Sequence, residues 1–301
     1  MRSGTIDDGS FRGPMNLQAT LESGQTFLWE RTDEASYGAP VRTDVTPWYR
    51  TVHDGNVLEV RQTTDGLEWR GSEGVGQVLR SRLRLSDDLD RILDRTPDDR
   101  VIQRAIGRYR GMRLVNEPFF PTVISFILSA QMRIPRIHRL VSTLRRTYGQ
   151  AHSRNGDVYY EFPSPESLAA ASEADLREKG LGYRAPYVTK SAALIADGEI
   201  DPDEVRTLPY EEARDALMEL VGVGHKVADC VLLFSLGFDE AVPLDTWIRS
   251  AIADHFPEAA GESYRETSRA IRERFGPEPG YTQTYVFHYL RSGGEDDTGA
   301  D

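Results

Sequence analysis

The chain has 301 residues and a formal net charge of −12, from 48 acidic and 36 basic residues, and no apolar run approaches the ~18 residues of a membrane span. That length buries a sizeable core in one large or two smaller domains, while the lone Cys230 excludes an internal disulfide, a four-cysteine zinc ribbon and a four-cysteine iron–sulfur cluster. The acidic balance argues against an ordinary DNA-binding surface, so any such reading must be carried by motifs.

Residues 1–14 are polar and glycine-containing and are expected to be frayed. From Met15 to about Gly71 the apolar periodicity is near two, in segments such as 26–31, 48–53, 57–63 and 67–70, with Asp54-Gly55 and Asp65-Gly66 as turns. This predicts an antiparallel sheet of about four or five strands. Around Ser86 the pattern turns helical, and helices are predicted over 88–93, 98–109, 121–131, 135–148, 165–179 and 186–197. Further helices are predicted over 210–220, 225–236, 245–255, 264–275 and 282–291, before a polar tail, 292–301, expected to be disordered. The expected fold class is α+β, with a β-rich domain over 1–95 and a helical domain over 96–291.

The helical half is organised around LVGVGHKVADCVLLFSLGFDEAVPLD, residues 220–245. A helix runs into Gly222-Val-Gly224 and restarts at His225, which is a helix-hairpin-helix. The glycines permit positive φ and bare the N–H groups at the start of the second helix, a grip suited to a DNA phosphate. Lys226 follows the turn directly, and Asp245 heads the next helical pattern after a proline. An amine and a carboxylate are thereby expected to face one cleft.

These residues resemble the helix-hairpin-helix-GPD superfamily of DNA base-excision glycosylases, in particular its 8-oxoguanine DNA glycosylase/AP lyase branch. Six segments carry the resemblance in the family's order: SGQTFLW at 23–29, FILSAQ at 126–131, LGYRAPYV at 181–188, GVGHKVADC at 222–230, AVPLD at 241–245 and TQTYVF at 282–287. The resemblance implies an N-terminal antiparallel sheet followed by an all-helical glycosylase body. It also implies excision of 8-oxoguanine from duplex DNA, preferentially opposite cytosine, through a lysine Schiff base and β-elimination.

Lys226 stands where the family has its nucleophile. Arginine cannot be deprotonated, whereas a desolvated lysine at a helix N-terminus can, and this chain keeps only three lysines (Lys179, Lys190, Lys226) among its 36 basic residues. Against this stands an ordinary surface lysine. Asp245 matches the catalytic aspartate, a role compatible with the helix cap that its position also predicts. Asp229, one turn after Lys226, is expected to support its helix rather than pair with it.

By the same resemblance Gly24, Cys230, Gln283 and Phe287 bind the extruded base, with Gly24 sensing the N7 proton through its carbonyl and Phe287 and Cys230 stacking on its faces. Gln131 would fill the gap in the duplex, Tyr183 would press on the stack, and Arg136 and Arg184 would read the partner cytosine. Gly222, Gly224 and Trp247 complete the expected DNA contacts. As single residues these are equally a turn glycine, core side chains and surface arginines. The chain departs from the family at Trp247, where a histidine is usual, at Val221 for proline, at His225 for a small polar residue, and at Gln131 for asparagine.

The acidic, lysine-poor composition is that expected of a halophilic host, an archaeon, where concentrated salt screens carboxylate repulsion and counterion release adds little to DNA affinity. The six histidines show no HxH or HxxxH spacing, so no metal or other cofactor is expected. The expected partner is double-stranded DNA carrying oxidised guanine, with no membrane contact, for a monomer in the cytoplasm at the nucleoid. Two rivals remain open at this point. One is an alkylated-base glycosylase of the same superfamily, which uses the aspartate with water and no lysine. The other is a non-catalytic hairpin module, which would need neither residue.

Overall fold

The computed structural model of the protein describes residues 2–33, 35, 37, 46–154 and 156–293. Its N-terminal part is a five-stranded antiparallel sheet built from β1 (Arg2–Asp7), β2 (Glu30–Arg31), β3 (Tyr49–His53), β4 (Asn56–Thr63) and β5 (Gly66–Gly71), in the order β1-β5-β4-β3-β2. The Asp54-Gly55 turn works as its sequence predicts: both residues have positive φ, 47° and 70°, the twist that closes a two-residue hairpin between β3 and β4.

The N-terminal residues are not frayed. β1 pairs along its whole length with β5, from Arg2 opposite Gly71 to Asp7 opposite Gly66. Gly4 faces Trp69 across the pair, and a Cβ there would come within 2.6 Å of the indole, so the missing side chain is what lets the tryptophan lie over the edge strand. A strand is predicted over 26–31, but only Glu30–Arg31 form one, β2; the residues before them bend, and their polar groups bond to another irregular stretch instead of a strand ladder. The Gln25 amide donates to the Arg113 carbonyl at 3.0 Å and its Oε1 accepts from the Val115 N–H at 3.2 Å, while the Trp29 indole N–H donates to Glu117 at 2.8 Å.

The first helices are α1 (Leu17–Glu22), α2 (Val75–Arg82), α3 (Leu89–Asp94) and α4 (Arg100–Tyr109). α5 (Phe119–Ser129) is apolar on all sides and therefore central, with Phe120 and every residue from Thr122 to Leu128 buried. α6 (Ile134–Tyr148) leads to a small hairpin of β6 (Ala151–Arg154) and β7 (Asp157–Tyr160) that the sequence reading missed, although Asn155-Gly156 is the usual sequence signal for such a turn. Then come α7 (Pro165–Ala169), α8 (Glu173–Leu176), α9 (Ala185–Ala196), α10 (Pro202–Arg206) and α11 (Tyr210–Leu217).

α12 (His225–Val231) packs on α5 and passes into a π-helical turn, Leu232–Leu236, where one unbroken helix was expected. α13 (Thr246–His255), α14 (Tyr264–Arg274) and α15 (Pro279–Arg291) close the body. One apolar cluster runs through both halves, from Leu58, Val60 and Leu67 in the sheet to Val123 and Ile127 in α5 and Leu233 beyond α12. No described helix is long and apolar enough to cross a membrane. The acidic tail from 294 onward lies outside the described residues.

Candidate active site

The hairpin is held by backbone geometry. Gly222 has φ of +85°, and a Cβ on it would stand 2.7 Å from the Tyr187 ring of α9, so both conformation and space demand glycine. Gly224, the residue capping α12, faces open space and has an extended backbone. Among the described residues no atom outside the local chain stands within 4 Å of where a Gly224 Cβ would lie, at the N-terminus of α12.

The first turn of α12 delivers Lys226 into a pocket whose walls come from widely separated parts of the chain. Gly24, Phe126, Ser129, Lys226, Cys230 and Asp245 line it, with Gln283 and Phe287 from α15. It contains roughly 610 Å³ of empty space, mouth included. Every residue expected at the catalytic centre or around the extruded base lines this one cavity: Lys226, Asp245, Gly24, Cys230, Gln283 and Phe287.

Lys226 lies with its Nζ 5.0 Å from the centre of the Phe126 ring and donates to Ser129 Oγ at 3.0 Å. Ser129 in turn donates to the Phe126 carbonyl at 2.8 Å, so the serine oxygen is oriented to accept from the amine. Neither Phe126 nor Ser129 was singled out from sequence. The signal for Ser129 was present, as the hydroxyl in an otherwise apolar FILSAQ helix end. No ion pair among the described residues includes Lys226, so its amine faces the pocket without a neutralising carboxylate.

Asp245 is both an N-cap and a pocket wall. Its Oδ1 accepts from the Ile248 N–H at 2.7 Å, and the backbone there is extended, as a cap requires. Its second oxygen has no donor among the described residues. Gln283 is 5% exposed and donates to the Pro243 carbonyl at 3.2 Å, tying α15 to the segment that carries Asp245. Cys230 is sealed into the wall; burial pushes its thiol up to about 12, against the pull of nearby Lys226, so it is a neutral, apolar surface. Gly24 lines the pocket with φ of +94°, a conformation that suits glycine even though a Cβ would meet only Ile134 at 3.6 Å.

The residues expected to touch DNA lie elsewhere. Gln131 sits in the turn between α5 and α6, exposed and at φ of +53°, an uncommon conformation for a side chain of its size. Arg136 is exposed on the first turn of α6. Tyr183 is 54% exposed. Arg184 is buried, lies 4.4 Å from the Tyr183 ring centre and donates to the Ala130 carbonyl, next to Gln131. Trp247 is 43% exposed and meets the Phe287 ring edge-on, 5.8 Å between centres, at the pocket wall.

Known proteins match this architecture from end to end. Residues 12–123 match the family model described as 8-oxoguanine DNA glycosylase, N-terminal domain, and residues 124–277 match the HhH-GPD superfamily base excision DNA repair protein model. The chain is 30% identical over 305 residues to a Methanothermobacter thermautotrophicus protein named "Probable N-glycosylase/DNA lyase", covering 94% of this chain and 95% of that one. Of the solved structures, MBOgg1 in complex with a low-affinity DNA ligand has a TM-score of 0.84 at 28% identity, covering 98% of this chain and all 100% of that one. Clostridium acetobutylicum 8-oxoguanine glycosylase/lyase, in complex with double-stranded DNA containing cytosine opposite 8-oxoG, has a TM-score of 0.81 at 26% identity, covering 94% and 93%.

Proposed function

Because the chain belongs to the HhH-GPD superfamily of base excision DNA repair proteins, in its 8-oxoguanine glycosylase branch, we propose that it removes 8-oxoguanine from duplex DNA with Lys226 as nucleophile and then cleaves the strand as an AP lyase. The observation that carries this reading is the meeting of Lys226 and Asp245 in one cavity with the four candidate base-binding residues.

In this mechanism the lesion leaves the duplex and enters the pocket. Its purine lies against Phe287 and the Cys230 wall, with the Gly24 carbonyl available to the N7 proton and Gln283 to the pairing edge. The amine of Lys226 attacks C1′ as the free base and then gives up a proton, the glycosidic C–N bond breaks, and the base departs with the bonding pair and takes up a proton. Asp245, fixed in place by its cap bond, stabilises the positive charge that develops on the sugar. Ring opening gives an iminium linkage between Lys226 and C1′. Loss of a C2′ proton then expels the 3′ phosphate, and hydrolysis returns the amine. Ser129 and the Phe126 ring fit the resting amine, supplying one acceptor and a π face in place of a carboxylate.

Outside the pocket, Gln131 would occupy the vacated place in the stack and Tyr183 would wedge beside it. Arg136 offers free donors suited to the acceptor edge of an unpaired cytosine, and Arg184 would reinforce that preference while holding the turn that presents Gln131. Sodium borohydride should trap a covalent enzyme–DNA adduct on a duplex containing 8-oxoguanine opposite cytosine. Lys226→Gln should abolish both adduct and base release, at least ~10³-fold, while binding to the damaged duplex survives. An adduct that persists in Lys226→Gln would remove the lysine from the mechanism.

A further inference from the structure

Asp229 is fully buried one turn beyond Lys226, yet it does not touch the lysine. Its Oδ1 accepts from the Tyr210 hydroxyl at 2.8 Å and its Oδ2 from the Tyr264 hydroxyl at 2.6 Å. Around the carboxylate stand Tyr210, Arg214 and Glu211 from α11 and Tyr264 and Ser268 from α14. The Arg214 guanidinium is 3.7 Å from Oδ2 and donates to Tyr210 at 3.1 Å, while Tyr210 is also 3.5 Å from Ser268 Oγ. A carboxylate held on both oxygens in this way cannot swing independently of the hairpin. Burial pushes its pKa up to about 7, against hydrogen bonds and the guanidinium that pull it down.

The second half of the arrangement lies across the pocket. Residues 241–245 form no regular element, and Ala241, Val242 and Leu244 are nevertheless buried, so their backbone donors need partners from elsewhere. The Leu244 N–H, adjacent to Asp245, finds one in the Tyr264 hydroxyl at 3.1 Å. The same hydroxyl is 3.5 Å from the Val242 carbonyl. The Tyr264 ring also lies 4.9 Å, centre to centre, from that of His225, the residue directly before Lys226. One side chain from α14 thus reaches the lysine's helix at two points and the aspartate's segment at one or two.

Taking Lys226 and Asp245 as the reacting pair, which rests on the function proposed above, we propose that Tyr264 is a positioning residue: its hydroxyl, donating to Asp229 and accepting from Leu244, fixes the lysine helix and the aspartate segment at one spacing. The electrons allow this. A phenol donates one hydrogen and accepts on its lone pairs, so both bonds form at once and each strengthens the other. Attack at C1′ needs the amine and the charge-stabilising carboxylate on the same sugar together. A displacement of about 1 Å in such a pair can cost on the order of 10²-fold in rate.

Tyr264→Phe removes one oxygen and keeps the ring against His225. Under single-turnover conditions at a temperature where the variant is folded, base release and borohydride trapping should fall together by about 10–100-fold. The amplitude of product formed and the affinity for a duplex carrying a tetrahydrofuran abasic analogue should stay within about 2-fold of the unmutated enzyme. Asp229→Asn should act in the same direction, and the double variant should lose no more than the worse single one, because both cut one link. Unchanged rates in Tyr264→Phe, or a fall in rate matched by an equal fall in amplitude, would overturn the positioning role. If instead the unmutated protein releases 8-oxoguanine and Lys226→Gln still does so, the catalytic reading itself is wrong, and the two failures are told apart.

Discussion

The wall of the pocket and its rim are built by opposite means. In the wall, polar groups are committed before any substrate arrives: Asp245 caps α13, Gln283 holds the Pro243 carbonyl, Lys226 rests on Ser129, and Cys230 is buried and neutral. At the rim, Gln131 is exposed at positive φ, Tyr183 and Trp247 are among the few large exposed aromatics, and Arg136 reaches into solvent. The contrast follows from the two tasks. Chemistry needs groups placed in advance in a dry site, whereas a duplex must be gripped and opened by side chains that give up water for bases and phosphates.

The sharpest way to break that contrast is to alter the charge in the wall without altering its geometry. Asparagine caps helices about as well as aspartate, so Asp245→Asn should preserve the fold while lowering single-turnover excision by roughly 10²–10³-fold. Asp245→Ala should add a stability loss of about 1 kcal/mol in denaturant unfolding, because the bond to the Ile248 N–H disappears as well. If asparagine leaves excision intact, the residue is a cap and nothing more.

A rim substitution should change selectivity rather than chemistry. Arg136→Ala should reduce the preference for 8-oxoguanine opposite cytosine over adenine by about 1–3 kcal/mol, the value of a lost bidentate contact, with the limiting rate opposite cytosine little changed. Arg184→Ala should flatten the same preference and also weaken damaged-duplex binding, since it frees the Ala130 carbonyl beside Gln131. Equal excision opposite cytosine and adenine by the unmutated protein would show that neither arginine reads the partner base.

The smallest effect is expected at the boundary between the two regions. Gly222→Ala places a methyl group against Tyr187 and imposes a left-handed conformation on a non-glycine residue, a cost of about 1–2 kcal/mol in thermal or denaturant unfolding. Binding to undamaged duplex should weaken along with it. Gly224→Ala, which meets open space and an extended backbone, is the control and should cost less.

Much of this was legible because local signals and tertiary structure agree. The Asp54-Gly55 turn and two-residue periodicity announced the sheet, the Gly-Val-Gly turn announced the hairpin, and the ordered motifs brought six distant residues to one cavity. What stayed hidden depends on partners far along the chain. β1 is polar, and its strand character comes from β5 and from Trp69 covering Gly4. The 26–31 segment alternates like a strand, yet only Glu30–Arg31 pair as one, and Gln25 and Trp29 bond instead to residues 113–117. The π turn after α12 leaves the 3.6-residue apolar pattern nearly unchanged over its single turn, so periodicity could not reveal it. Asp229 read as a helix-supporting residue because nothing in sequence ties it to Tyr264, 35 residues away.

The sealed, protonated Cys230 has a practical side. It is the chain's single cysteine, nearly all of it is buried in the pocket wall, and that burial keeps its thiol protonated and poorly nucleophilic at neutral pH. The native protein is therefore already a silent background for thiol-directed dyes or spin labels. A cysteine introduced on the exposed face of α6 would carry the only reactive label, and its signal would report how the α5–α6 turn moves as a duplex is opened. No substitution inside the cavity would be needed to make that measurement.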